Sequence, residues 1–185
     1  MNYGPMNNDM VFKSARMVLG DEVVEGTLAV AGGHIAAIAT GGSAVASAED
    51  IGGDFLVPGL VELHTTTSSA TRCRGRRCAG RRCRRCWRTT PNSPPPASPR
   101  SMTPSAWAVS LMMAAFRLVD DAGFTIPQAL STVTRNPARS VGLADRGEIT
   151  PGKRADLVQV RLVDGQGGRR QPVVRAVWRA GRRIV

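Results

Sequence analysis

Short apolar runs punctuated by glycine and aspartate fill the first third of the chain. Ala15-Arg16-Met17-Val18-Leu19 meets Gly20-Asp21, Val23 to Val30 meets Ala31-Gly32-Gly33, His34-Ile35-Ala36-Ala37-Ile38 follows, and Phe55-Leu56-Val57 comes later. Runs of about five residues between turn formers predict strands, and their succession from Met10 to Val57 predicts a β-meander. The C-terminal end repeats the pattern with Ala155 to Val160, Val173 to Trp178, a turn at Gly181, then Arg183-Ile184-Val185. Between these ends the period changes. Ser110 to Val119 places Leu111, Ala115, Leu118 and Val119 on one helical face. Thr125 opens a second helix with Pro127 in its first turn and Ala129, Leu130 and Val133 as its apolar stripe, until Asn136-Pro137 ends it.

Composition changes this picture at one place. The chain has 185 residues and a net charge of +11. Residues 66–108 hold ten Arg, no Lys and no acidic residue, so nearly all of that excess charge sits there. The same stretch carries all four cysteines, Cys73, Cys78, Cys83 and Cys86, and contains no Leu, Ile, Val or Phe. Without those side chains a segment buries too little apolar surface to offset the entropy of ordering it, so a disordered basic insert is expected. Four thiolates suit tetrahedral zinc, but only Cys83 and Cys86 have the usual two-residue gap. The arginines can meet phosphates through counterion release or simply be solvated; a solvated run is the reading taken, with no specific nucleic-acid partner. No apolar run approaches the length of a membrane span and no secretory pattern opens the chain, so a cytoplasmic protein with reduced thiols is expected.

Two strings in the flanks resemble the amidohydrolase superfamily. The first, Phe55 to His64, matches the lead-in to that superfamily's first barrel strand: an apolar pair, Pro58-Gly59, another apolar pair, Glu62, one residue, His64. The second runs from Thr134-Arg135-Asn136-Pro137-Ala138-Arg139 through Gly147-Glu148-Ile149 to Pro151-Gly152-Lys153-Arg154-Ala155-Asp156-Leu157-Val158. It resembles the segment by which such chains leave the barrel and return to a small β-sandwich. Glu62-Leu63-His64-Thr65, Leu111 to Leu118 and Val177 to Arg183 most resemble the diphosphatases of phosphonate metabolism. The resemblance implies a metal-dependent hydrolase, with divalent metal (zinc) at the mouth of a (β/α)8 barrel. Its implied substrate is a ribose 1-phosphonate 5-triphosphate, cleaved to the 5-phosphate and pyrophosphate. It also implies His64 as a metal ligand.

The chain departs from that pattern. Family members continue from His-Thr into Asp-Asn, whereas Thr66 and Thr67 stand here, and a hydroxyl is a poor substitute for a carboxylate on a hard cation. His34 lies in the predicted sandwich, so no other histidine joins His64. A barrel of this kind takes about 250 residues, and only about 80 separate Val61 from the return to the sandwich. The expected fold is therefore mainly β with some α. Residues 10–60 and 146–185 build one composite sandwich, 66–108 form the insert, and 110–145 are remnant barrel helices, which without barrel strands expose Leu111, Phe116, Leu130 and Val133. Asp120-Asp121 read as solvated, and His64 is expected to hold no metal stably, leaving the chain inactive.

The insert has the composition of G+C-rich coding DNA read out of frame. Restoring one base near the Thr65 codon permits Asp-Asn-Leu-Glu-Arg-His, which begins with the pair the family pattern lacks. The same treatment of residues 88–108 permits a string that reads like a barrel helix running into a strand. Out-of-frame translation of 66–108 is the resulting expectation.

Overall fold

The computed structural model describes residues 9–42, 47–62, 106–165 and 168–185. His64, the four cysteines and residues 66–105 of the expected insert lie outside the described residues. The element order is β1 (Met10–Val18), β2 (Val23–Ala31), β3 (His34–Thr40), β4 (Glu49–Asp50), β5 (Phe55–Pro58), α1 (Ala106–Ala122), α2 (Ile126–Ser131), α3 (Arg135–Ser140), β6 (Leu157–Asp164), β7 (Arg170–Arg179) and β8 (Arg182–Arg183). Helix α1 thus begins three residues inside the stretch expected to be insert, at an alanine, the best helix former.

The meander expected from Met10 to Val57 holds for β1, β2 and β3, which pair antiparallel in succession. The β2–β3 turn is Gly32-Gly33, both at positive φ, the two-residue hairpin loop whose twist matches that of the strands. The meander expectation fails at β5, which crosses back to lie parallel to β1 with Met17 opposite Leu56. A bulge explains how β1 accepts a new neighbour. Ser14 takes a positive φ between the Phe12 and Ala15 pairings, and the loop before β5 docks there, Ile51 N donating to Lys13 O and Gly53 N to Ser14 O.

β5 then pairs antiparallel with β6, Phe55 opposite Val160 and Pro58 opposite Leu157, which joins the two ends of the chain. The result is one sheet of order β3-β2-β1-β5-β6-β7-β8, with β4 beside β1. The composite of both termini is therefore present as a single continuous sheet rather than two separate ones. It curls on itself: Ile35 N donates to Lys153 O, Gly152 N to Ile35 O and Ala155 N to Gly33 O. Gly33 is required at this closure, since a Cβ there would lie 2.9 Å from the carbonyl oxygen of Ala180. Phe12, Met17, Leu28, Ile35, Leu56 and Trp178 belong to the core inside the curl.

The other face of β5, β6 and β7 is covered by helices. Val57, Val158, Val160 and Val177 pack with Met112, Ala115 and Phe116 of α1 and Leu130 of α2. This corrects two expectations. The buried stripe of α1 is Met112, Ala115 and Phe116 rather than Leu111, Ala115, Leu118 and Val119, because the helix is apolar on several sides and the sheet selects the face. The predicted exposed patch is absent at its centre: Phe116 and Leu130 are buried, and Leu111 and Val133 are partly buried against the same cluster.

The second helix also differs from its expected extent. Thr125 caps α2 in a reciprocal box, its Oγ1 accepting from Gln128 N and Gln128 Oε1 accepting from Thr125 N. The chain then starts α3 instead of stopping at Asn136-Pro137. Pro137 is the third residue of α3, where its missing N–H would have had no intrahelical partner anyway.

Candidate functional site at the exit of β5

The chain leaves the sheet through Pro58-Gly59-Leu60-Val61-Glu62, the string expected to lead to the metal ligand. Gly59 N donates to Asp156 O at 2.8 Å, and a Cβ on Gly59 would sit 2.9 Å from the Asp156 Cβ, so only glycine lets the two backbones approach this closely. Val61 N donates to Val133 O at 3.0 Å, tying the exit to the α2–α3 link. Leu60 and Val61 are buried and Glu62 is half-buried. The exit is thus clamped by backbone on both sides, while His64 lies two residues beyond the described segment.

Three carboxylates surround this region or the curl behind it, and each is already engaged. Asp156 is buried; its Oδ1 accepts from Ala180 N at 2.9 Å and its Oδ2 from Arg154 Nε at 2.9 Å, locking the residues just before β6 to the β7–β8 turn. Asp54, also buried, accepts from Gln159 Nε2 and Arg161 Nε, both at 2.7 Å. Glu148 accepts from Lys153 Nζ at 2.5 Å and Arg139 at 2.8 Å, with Arg135 Nε at 3.7 Å and Asp21 bound to the far side of Arg135. Burial pushes the Glu148 carboxyl up, but the Lys153 hydrogen bond and the Lys153, Arg139 and Arg135 charges outweigh it and hold it below the usual carboxylate range. Hydrogen bonds from Arg146 lower Asp145 in the same loop.

A cleft opens beside Glu148, lined by Gly20, Pro58, Pro127, Ser131, Arg135 and Gly147 among others, with about 20 Å³ of usable volume. That is room for a water molecule, not for a sugar triphosphate. Among the described residues no group of three or more His, Cys, Asp and Glu side chains could hold a metal ion. His34, the other histidine, is exposed at the start of β3, bridged to Arg154, with Nδ1 3.2 Å from Gly32 O. Asp121 pairs with Arg169 at 3.1 Å and Asp120 is exposed, in keeping with a solvated reading of both. Asp54, Glu148 and Asp156 act as structural clamps, and the His64 expected as a metal ligand lies outside the described residues. The Glu148 cluster was missed from sequence: Arg135, Arg139, Glu148 and Lys153 converge only after α3 and the following loop fold over, and their one local signal is the one-turn spacing of the two arginines.

Comparison with known proteins bears on the same stretch. Residues 94–185 match the amidohydrolase family. This part of the chain, just under half of it, is similar to the amidohydrolase family. Over 80 residues the chain is 45% identical to alpha-D-ribose 1-methylphosphonate 5-triphosphate diphosphatase of Escherichia coli, a match covering 42% of this chain and 20% of that protein. It is 42% identical over 65 residues to imidazolonepropionase of Deinococcus deserti, covering 34% of this chain and 16% of that one. A crystal structure of an amidohydrolase from Thermotoga maritima is 32% identical over 42% of this chain and 19% of that chain, with a TM-score of 0.32. The chain thus spans about a fifth of the length of the curated relatives it matches.

Proposed function

We propose that this chain derives from the metal-dependent hydrolases of phosphonate catabolism and that, as it stands, it is their non-catalytic remnant. The parent reaction adds water to a ribose 1-phosphonate 5-triphosphate, giving the 5-phosphate and pyrophosphate, in the cytoplasm and with divalent metal. The 45% identity to a protein named for that diphosphatase activity supports the parentage.

The observation that carries the loss of activity is where the chain leaves and rejoins the fold. It exits at Glu62 and enters α1 at Ala106, whose helix packs on the back of the sheet that β5 belongs to. The 43 intervening residues are enough for about one β-α-β unit of some 30 residues, against the eight repeats of a barrel. Thr66 and Thr67 stand where the family pattern has the acidic partner of His64, so the ligand set is short even at that motif. The out-of-frame reading of residues 66–108 is part of this proposal; the family match and α1 both begin within that stretch.

The test is pyrophosphate release from ribose 1-methylphosphonate 5-triphosphate by the purified full chain with added zinc or manganese. The expected rate equals that of buffer with metal. Metal-dependent turnover that is lost in His64→Ala would overturn the remnant reading. Resequencing the locus separates the two halves of the proposal: a single-base restoration that opens a barrel-coding frame supports the parentage and the lesion together. Stoichiometric zinc lost on thiol alkylation would instead make the cysteine segment a binding module.

A further inference from the structure

The two edges of the sheet are built differently. At one end β8 is two residues long, exposed Arg182 and Arg183, and the length of β7 that it leaves uncovered carries Arg170, Pro172 and Arg175. Short strands, cations and proline are the features that keep an edge from pairing with another strand. At the other end stands β3. Only its start is covered, where His34 and Ile35 meet residues 152–154. From Ala36 to Thr40 no described residue pairs with its outer side, and Ala36, Ala37, Ala39 and Thr40 are exposed. Ala36-Ala37-Ile38-Ala39-Thr40 holds no charge and no proline, and lies in a stretch from His34 to Ala48 without Asp, Glu, Lys or Arg.

The register with β2 fixes which backbone groups face outward. Gly41 N donates to Glu25 O at 3.3 Å, so Gly41, Ala39 and Ala37 turn their N–H and C=O groups toward β2. Those of Ile38 and Thr40 point to the open side. A second copy of the chain supplies their complement. Laid antiparallel across a twofold axis at Ile38, the two edges place Ile38 opposite Ile38, where both N–H···O bonds form, with Ala37 opposite Ala39 and Ala36 opposite Thr40. The segment reads nearly the same in either direction from Ile38, which is what a twofold contact asks of a surface, and its alanines bring no like charge into the pairing.

We propose that the β3 edge is a self-association site, through which two copies join their sheets into one antiparallel sheet. Five residues of strand span about 17 Å, so the contact falls below the roughly 1,200 Å² of a stable interface and belongs to the weak, reversible class. The net charge of +11 opposes association, and salt at about 0.15 M screens it beyond about 8 Å.

The experiment is sedimentation equilibrium of the full chain in reductant and about 0.15 M salt, across a series of protein concentrations, with amide exchange read at both ends of the series. The expected result is a monomer–dimer equilibrium in which the amides of Ile38 and Thr40 slow as the dimer forms, while exchange in α1 is unchanged. Ala37→Lys with Ala39→Lys, at two exposed positions, sets lysine opposite lysine twice and weakens the dimer about tenfold. The corresponding double Glu variant is weakened alike, and mixing the two variants restores a dimer of one copy each. A chain that stays monomeric at every concentration, a dimer that the double Lys variant leaves equally tight, or association that protects α1 and not Ile38 and Thr40, would overturn the proposal.

Discussion

The two faces of β5, β6 and β7 are covered in different ways. Inside the curl, Leu56 of β5, Leu157 of β6 and Trp178 of β7 meet Phe12, Met17, Leu28 and Ile35 from the N-terminal strands. Outside, Phe55, Val57, Val158 and Val177 meet Met112, Phe116 and Leu130 from the helices. All four residues of β5 are buried, the two-sided pattern usual for strands of parallel sheets, although β5 pairs antiparallel with β6. The inner face is closed by strands from both ends of the chain. The outer face is closed by helices that follow residues 63–105, so its cover depends on how that stretch returns the chain.

The largest effects should come from the inner face. Trp178 is fully buried, its ring edge-to-face with Phe12 at 4.8 Å between centroids, so Trp178→Ala is expected to cost about 3–5 kcal/mol, enough to unfold a marginal chain. Urea unfolding followed by circular dichroism measures it. Met112→Ala, on the outer face, should cost about 2–3 kcal/mol, because α1 is a single helix that can settle toward the sheet and shrink the cavity. If Met112→Ala proves costlier than Trp178→Ala, the helices and not the curl hold the fold.

Asp156→Ala tests the clamp between the faces. It removes the acceptor of Ala180 N–H and Arg154 and should cost about 1–3 kcal/mol, with faster amide exchange at Ala180 as its local signature. The smallest effect is electrostatic. The folded Glu148 carboxyl titrates below its unfolded value, so its contribution is present above about pH 4.5 and is lost as pH falls through the lower folded pKa. Glu148→Gln should therefore flatten the acid limb of the stability curve, by less than about 1 kcal/mol, and leave stability above pH 7 lowered by the same amount.

What was legible in the sequence was local chemistry. Gly32-Gly33 announces a tight hairpin and Thr125 with Pro127 announces a helix start, because each depends on residues a few positions apart. The parallel return of β5 to β1 was not legible, since its determinant is the Ser14 bulge and a docking loop nearly 40 residues away. The buried face of α1 was misread for a related reason: Leu111, Met112, Met113, Phe116, Leu118 and Val119 satisfy several stripes, and only the curvature of β5 to β7 chooses among them. The Glu148 cluster depends on four residues spread from 135 to 153, and no local spacing reveals that they meet. His64 lies beyond the described residues, and with Thr66 and Thr67 after it the proposal is that it holds no metal stably.

The central claim is that both ends of the chain form one cooperative sheet joined at β5 and β6. Native-state hydrogen exchange of the full chain tests it most directly, by comparing protection at β1, β5, β6 and β7 as low denaturant is added. The account predicts that amides of Met17, Leu56, Val158 and Val177 merge into a single global opening with one free energy. If the N-terminal strands open at markedly lower denaturant than β6 and β7, the two ends fold separately and the composite sheet is contradicted.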